Sequence, residues 1–152
     1  MVDDKHVPRS DCAMDTKDII EMLCDIADQI GSFMGEKGTN VVFRQAGKKL
    51  GKKIGQGHKG TPEDARAIVM EFFKEKAFMD DISLEGTEAK LSGCKIGLTL
   101  RDRGINAGHH ALCHFGYGLI DGVMESVTGH KIVTLHKEST YHENGVTCHE
   151  EW

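Results

Sequence analysis

Nitrogen and sulfur ligands crowd the C-terminal third of this 152-residue chain: seven of its nine histidines fall between positions 109 and 149, and three of its five cysteines between 94 and 148. His109 with Cys113, and His110 with His114, stand four residues apart, so on a helix each pair projects from one side. Such pairs chelate a transition metal when further ligands arrive from another element, and Cys148, His149 and His142 are the natural suppliers. Zinc suits this set, and so does iron, or haem with imidazole or thiolate ligation. No strict spacing signature accompanies them, since the chain has no CxxC pair, no HExxH and no CxxCH. The plainer alternative stays open, with Cys113 and Cys148 as small core residues and the histidines as solvated polar groups. Cys24 and Cys94 sit in apolar runs and read as packing residues. No cysteine is marked as an activated nucleophile and no phosphate loop is present, so no catalytic residue is assigned. The expectation is a protein that holds a ligand, not an independent enzyme.

The elements that must position these groups follow from periodicity. Asp15 or Thr16 caps a helix in which Ile19, Ile20, Leu23, Ile26, Ala27, Ile30, Phe33 and Met34 recur at helical spacing. After a break over residues 35–40, a second helix runs through Val41, Phe43, Leu50 and Ile54, with Gly47, Gly51 and Gly55 in register along one side. Glycine costs about 1 kcal/mol per site in a helix interior, so this row needs a reason: close packing of another backbone, or a ligand surface. Thr61-Pro62-Glu63-Asp64 starts a third helix that reaches about Ala77. From Phe78 the period drops towards two, through Ile82 and Leu84, Ala89 and Leu91, then Cys94, Ile96, Leu98 and Leu100, predicting two or three strands. A fourth helix spans about Ala107 to Val127. A final hairpin turns at Asn144-Gly145, which places Glu143 opposite Val146 and Tyr141 opposite Cys148, with Leu135, Tyr141 and Cys148 on one face and His136, His142 and His149 on the other. The order of elements predicts an α+β domain over 16–152, an antiparallel sheet of four or five strands backed by about four helices, after an N-terminal arm of residues 1–15.

Composition narrows the partners. A formal charge of −5 leaves no broad basic field for nucleic acid, and the lysines at 48, 49, 52, 53 and 59 read as a solvated helix face. No apolar run is long enough to span a membrane. An odd number of scattered cysteines fits a reducing, cytoplasmic setting better than a disulfide scaffold.

Two segments resemble the 4-vinyl reductase domain family, also described as hydrocarbon-binding proteins. They are Val41-Val42-Phe43-Arg44-Gln45-Ala46-Gly47-Lys48-Lys49-Leu50-Gly51, and Cys113 through Gly122 followed by Thr128-Gly129-His130 and Val133 to Glu138. In the hairpin, Glu138, Gly145 and Cys148 match the family pattern, with Tyr141 standing near the place of a middle cysteine. The likeness covers about residues 16–152. It implies a fold similar to the vesicle-tethering TRAPP subunits and the haem nitric-oxide-binding domains, with an internal pocket for a hydrophobic or tetrapyrrole-like molecule, but it carries no reductase activity with it. The expected pocket lies between the glycine-bearing helices and the sheet. It is lined by Phe43, Gly47, Leu50, Gly51, Phe115 and Leu119, with Tyr117 and Tyr141 as polar contacts. The rivals are a metal or haem protein using Cys113, Cys148, His109, His110, His114, His142 and His149, and an interaction subunit that closes its apolar helix faces by homodimerisation or against a partner protein.

Overall fold

The structure is a computed structural model that describes residues 15–76, 78–143 and 145–152. Four helices and four strands follow in the order α1 (Thr16–Ile54), α2 (Pro62–Glu75), β1 (Asp81–Glu85), β2 (Glu88–Ser92), α3 (Lys95–Asp102), α4 (Ala111–Thr128), β3 (Leu135–His142) and β4 (Gly145–Glu151). The strands form one antiparallel sheet in the order β1-β2-β4-β3, so the class is α+β as the element order implied. None of the described helices is long and apolar enough to cross a membrane.

Local chemistry sets the helix ends. Asp15, one of the two caps expected for this helix, is the α1 cap and accepts from the Asp18 N–H at 2.8 Å. Thr61 and Asp64 cap each other reciprocally at the start of α2, with Pro62 in the first turn. The rest of the arm, and Ala77 at the expected end of the third helix, lie outside the described residues. Between the first two expected helices the break is a single residue: Gly35, at φ +79, turns α1 between a first limb, residues 16–34, and a second limb, residues 36–54. The two limbs fold towards each other, so that Phe43 joins Ile20 and Cys24 in one apolar cluster with Leu100 and Leu112.

Two expectations fail here. Residues 95–102 form α3, not a strand; a short apolar run with period two also satisfies the i, i+4 pair Ile96 and Leu100, and periodicity alone does not decide between them. The fourth helix begins at Ala111, not Ala107, because His110 caps it, its Nδ1 accepting the Leu112 N–H at 3.2 Å.

The main core lies between the inner face of the sheet (Ile82, Leu84, Ala89, Leu91, Val146 and Cys148) and the helices, which contribute Val69, Leu119, Ile120 and Val123. The second limb of α1 lies on the far side of α4. Asp121, 3% exposed, ties these layers together. One carboxylate oxygen accepts from the Thr134 N–H and hydroxyl at 2.8 and 2.7 Å, and the other from the Arg44 guanidinium at 2.7 Å.

The last hairpin is displaced from its expected register. His142 pairs with Gly145, Tyr141 with Val146 and Ser139 with Cys148, so the link is formed by positions 143 and 144, not 144 and 145. Asn144 itself lies outside the described residues. A slip of two keeps Tyr141 and Cys148 on the inner face. A bulge at Lys137 then resets the alternation, since His136 pairs with Glu150 and Glu138 with the adjacent His149. His136 therefore faces inwards and Leu135 outwards, the reverse of the expected arrangement.

Candidate functional site

The glycine rows explain themselves first. A Cβ on Gly47 or Gly51 would overlap the carbonyl oxygens of Phe115 and Leu119, and one on Gly118 or Gly122 those of Arg44 and Lys48. The matched order of these contacts makes the second limb of α1 and α4 parallel, in backbone contact, each set of glycines fitting against the other's main chain. Such an approach brings Cα–H groups up to carbonyl oxygens and leaves no space for a guest. Of the two readings of the glycine row, close packing is the one realised, and Gly47 and Gly51 line no pocket. Leu50 and Phe115 pack against the main core, Leu119 lies within it, and Phe43 packs in the second cluster. The apolar cavity expected at this place is filled by these side chains.

Polar chemistry has gathered on the inner face of β3 and β4 instead. Glu150 is 2% exposed, and both its oxygens lie within 3.0 and 3.1 Å of His136 Nδ1. Burial raises the Glu150 carboxyl from its ordinary 4.5 to about 8, against a smaller opposing influence of the Tyr117 hydroxyl. His136 Nε2 reaches Ser139 Oγ at 3.1 Å, and Ser139 Oγ lies 3.6 Å from Cys148 Sγ. The segment before α4 lies over this row and is pinned to it. Ser139 donates to the Ala107 carbonyl, Ala107 N–H donates to Tyr141 Oη, Tyr117 donates to the Gly108 carbonyl, and Gly108 N–H donates to Cys113 Sγ. Gly108, at φ +99, is the point of closest approach, since a Cβ there would collide with the His136 ring. Gly108→Ala is expected to cost about 2–4 kcal/mol through strain and the loss of these four bonds, read as a lowered thermal midpoint; an unchanged midpoint would show that the segment is not pinned.

Glu150, His136 and Ser139 have the connectivity of an acid, a base and a hydroxyl nucleophile, but not the chemistry. The Ser139 proton is given to the Ala107 carbonyl, the acid is neutral near pH 7, and Gly108 covers the imidazole nitrogen that would take a proton. Burial likewise raises the thiols, Cys148 to about 11 and Cys113 further, so neither is a ready nucleophile.

Beside the buried row is a group of rings. His109 meets His136 edge-on at 5.3 Å between centroids, His136 stacks on Tyr117 at 6.4 Å, and Tyr117 meets His114 at 5.4 Å. The Arg44 guanidinium lies 5.9 Å from the Tyr117 ring centre. Desolvation chiefly, with Arg44 and His109 adding to it at His114 and the neighbouring imidazoles adding to it at His136, holds both below the ordinary histidine value, so both are neutral at physiological pH. His109 is exposed and opens onto a cleft of about 580 Å³ between the two limbs of α1 and residues 105–111. Glu36, Thr39 and Asn40 line it from the second limb, Asp28 from the first, and Asn106 from the segment before α4. Asp28 is engaged by His110 at 3.2 Å and by Arg103 at 3.9 Å.

The seven residues expected to hold a metal divide among four places. Cys113 and Cys148 belong to the buried row, and His109 and His114 to the ring group. His110 is committed to the α4 cap and Asp28. His142 bonds Thr147 on the outer face of the sheet, and His149 lies there between Lys90 and Glu138. Among the described residues no three histidine, cysteine, aspartate or glutamate side chains converge as metal ligands. The set does not fit one metal centre, nor do the filled apolar walls fit a haem. The sequence reading missed Glu150, His136 and Ser139. One signal was available, since Val146, Cys148 and Glu150 alternate on one face of a strand, which puts an acid in the core.

No family model matches the chain, and no curated protein matches it. The likeness to 4-vinyl reductase domains therefore stands on the two quoted segments and the hairpin residues alone.

Proposed function

We propose that the chain is a small-molecule-binding accessory domain whose ligand seat is the cleft at the bend of α1. The observation that carries this reading is the lining: an exposed carboxylate, Glu36, and the exposed imidazole of His109 border one concave space of about 580 Å³. The volume is within the usual range for small-ligand sites, and convergent polar groups on a pre-formed frame are what such sites use to fix orientation. Glu36 has no ion-pair partner among the described residues, and it leaves the cleft with an uncompensated negative charge. A ligand with a positive or hydrogen-bond-donating centre is the chemistry that fits. The hydrophobic or tetrapyrrole-like cargo drawn from the family resemblance is not favoured, because its walls would have to come from packed core residues.

Native mass spectrometry of the protein purified from its own cells tests the proposal. The wild type is expected to carry added mass above its 16.8 kDa chain, and a His109→Ala, Glu36→Gln double variant to lose it while melting at the same temperature. Wild type and variant both at the bare chain mass would refute the seat.

A further inference from the structure

The first limb of α1 carries two apolar faces, although burying a helix on a core requires only one. Ile20, Cys24 and Ala27 are buried, while Ile19, Met22, Ile26 and Phe33 on the other side are 40%, 43%, 45% and 89% exposed. Their positions step by three, four and seven residues, the spacing of a seam that meets another helix knobs-into-holes. We propose that this face is the contact between two copies of the chain, the first limbs pairing antiparallel about a two-fold axis at Ile26.

The seam is self-complementary in that arrangement. Ile26 meets its own counterpart, Ile19 meets Phe33 of the other copy, and Met22 meets the Gln29–Ile30 step, so every large exposed side chain of the row finds an apolar partner. With Met34, which is also exposed, the row presents roughly 500 Å² of side-chain surface per copy. That exceeds the few hundred Å² a monomer ordinarily leaves bare and is the greater part of the about 800 Å² each partner gives to a standard interface. Charge argues against a basic partner as the occupant. Asp25 flanks the seam, but Arg103 holds it within the protomer at 2.9 Å, so this acidic flank is already compensated. This inference stands apart from the cleft, whose wall residues it does not use.

Sedimentation of the full chain is the test. The wild type is expected to move to twice 16.8 kDa as concentration rises through the micromolar range, and Ile26→Asp to weaken the dimer at least 100-fold with an unchanged circular dichroism spectrum, because Ile26 supports no core. An apolar seam also predicts a dissociation constant that stays level or falls between low and high salt. Geometry is read by Ile26→Cys, which is expected to give a covalent dimer on oxidation, whereas Ser32→Cys is not. A wild type that stays monomeric, a dimer indifferent to Ile26→Asp, one that dissociates in salt, or equal cross-linking at both positions would each overturn the proposal.

Discussion

Gly47→Ala is expected to unfold the protein or to lower its stability by about 3–5 kcal/mol, a large share of the 5–15 kcal/mol typical of a domain. The added methyl would stand inside the Phe115 carbonyl oxygen, and its next neighbour, Leu119 N at 3.1 Å, is also backbone, so no side chain can swing away to receive it. The two helices would have to separate, taking with them the Arg44–Asp121 bond and the Lys48–Glu125 pair that lie along the same seam. Gly116→Ala in the same helix α4 is the control: nothing lies within 4 Å of a Cβ there, and alanine is the better helix former by about 1 kcal/mol, so that variant should be unchanged or slightly more stable. Denaturant titration of the pair separates the explanations. A Gly47→Ala variant as stable as Gly116→Ala would mean that helix propensity, not backbone contact, governs the seam.

The second large effect is a stability that falls as pH rises from about 6.5 to 8. Glu150 is raised in the folded state from 4.5 to about 8, so the stability it confers is complete below 4.5 and is lost progressively up to 8. His136 acts in the opposite sense: its folded value is depressed below 6.5, so its contribution is complete above 6.5 and is lost as pH falls. Below 6.5 the two slopes oppose each other, leaving Glu150 alone above that point. At about 1.4 kcal/mol per pH unit, the loss over the last stretch is roughly 2 kcal/mol. The thiols around the pair do not interfere, since burial keeps them neutral through this range, Cys148 titrating only near 11. Glu150→Gln keeps an N–H to offer His136 but has no proton to lose, so its thermal midpoint should be level from pH 6.5 to 8. A slope that survives the substitution would place the titrating group elsewhere.

How far the sequence could be read depended on how local each determinant was. Helix α2 was fully legible because its cap, its proline and its acids lie within four consecutive residues. The glycine row was legible as a demand for closeness, yet the row itself does not say whether a backbone or a ligand answers it; the answering glycines at 118 and 122 stand some seventy residues away. Helix α3 was misread because a run as short as Cys94 to Leu100 satisfies both periods. The metal set failed for a different reason. His110 is the cap of α4 and so stands outside the helical face that it was to share with His114, while Cys148 and His149, adjacent on one strand, point to opposite sides of the sheet. The buried acid–imidazole pair depends on a bulge that no residue type announces, and it was the least legible feature of all.

That bulge makes the chemistry of the sheet interior a matter of counting. Lys137 is itself exposed and bonds only Glu151, yet by standing aside from the ladder it leaves His136, and not itself, opposite Glu150. Straightening the strand with Lys137 in the ladder would turn Lys137 inwards opposite Glu150 and His136 outwards, so a surface lysine with no part in the interior decides, by looping out, which side chain the buried carboxyl meets.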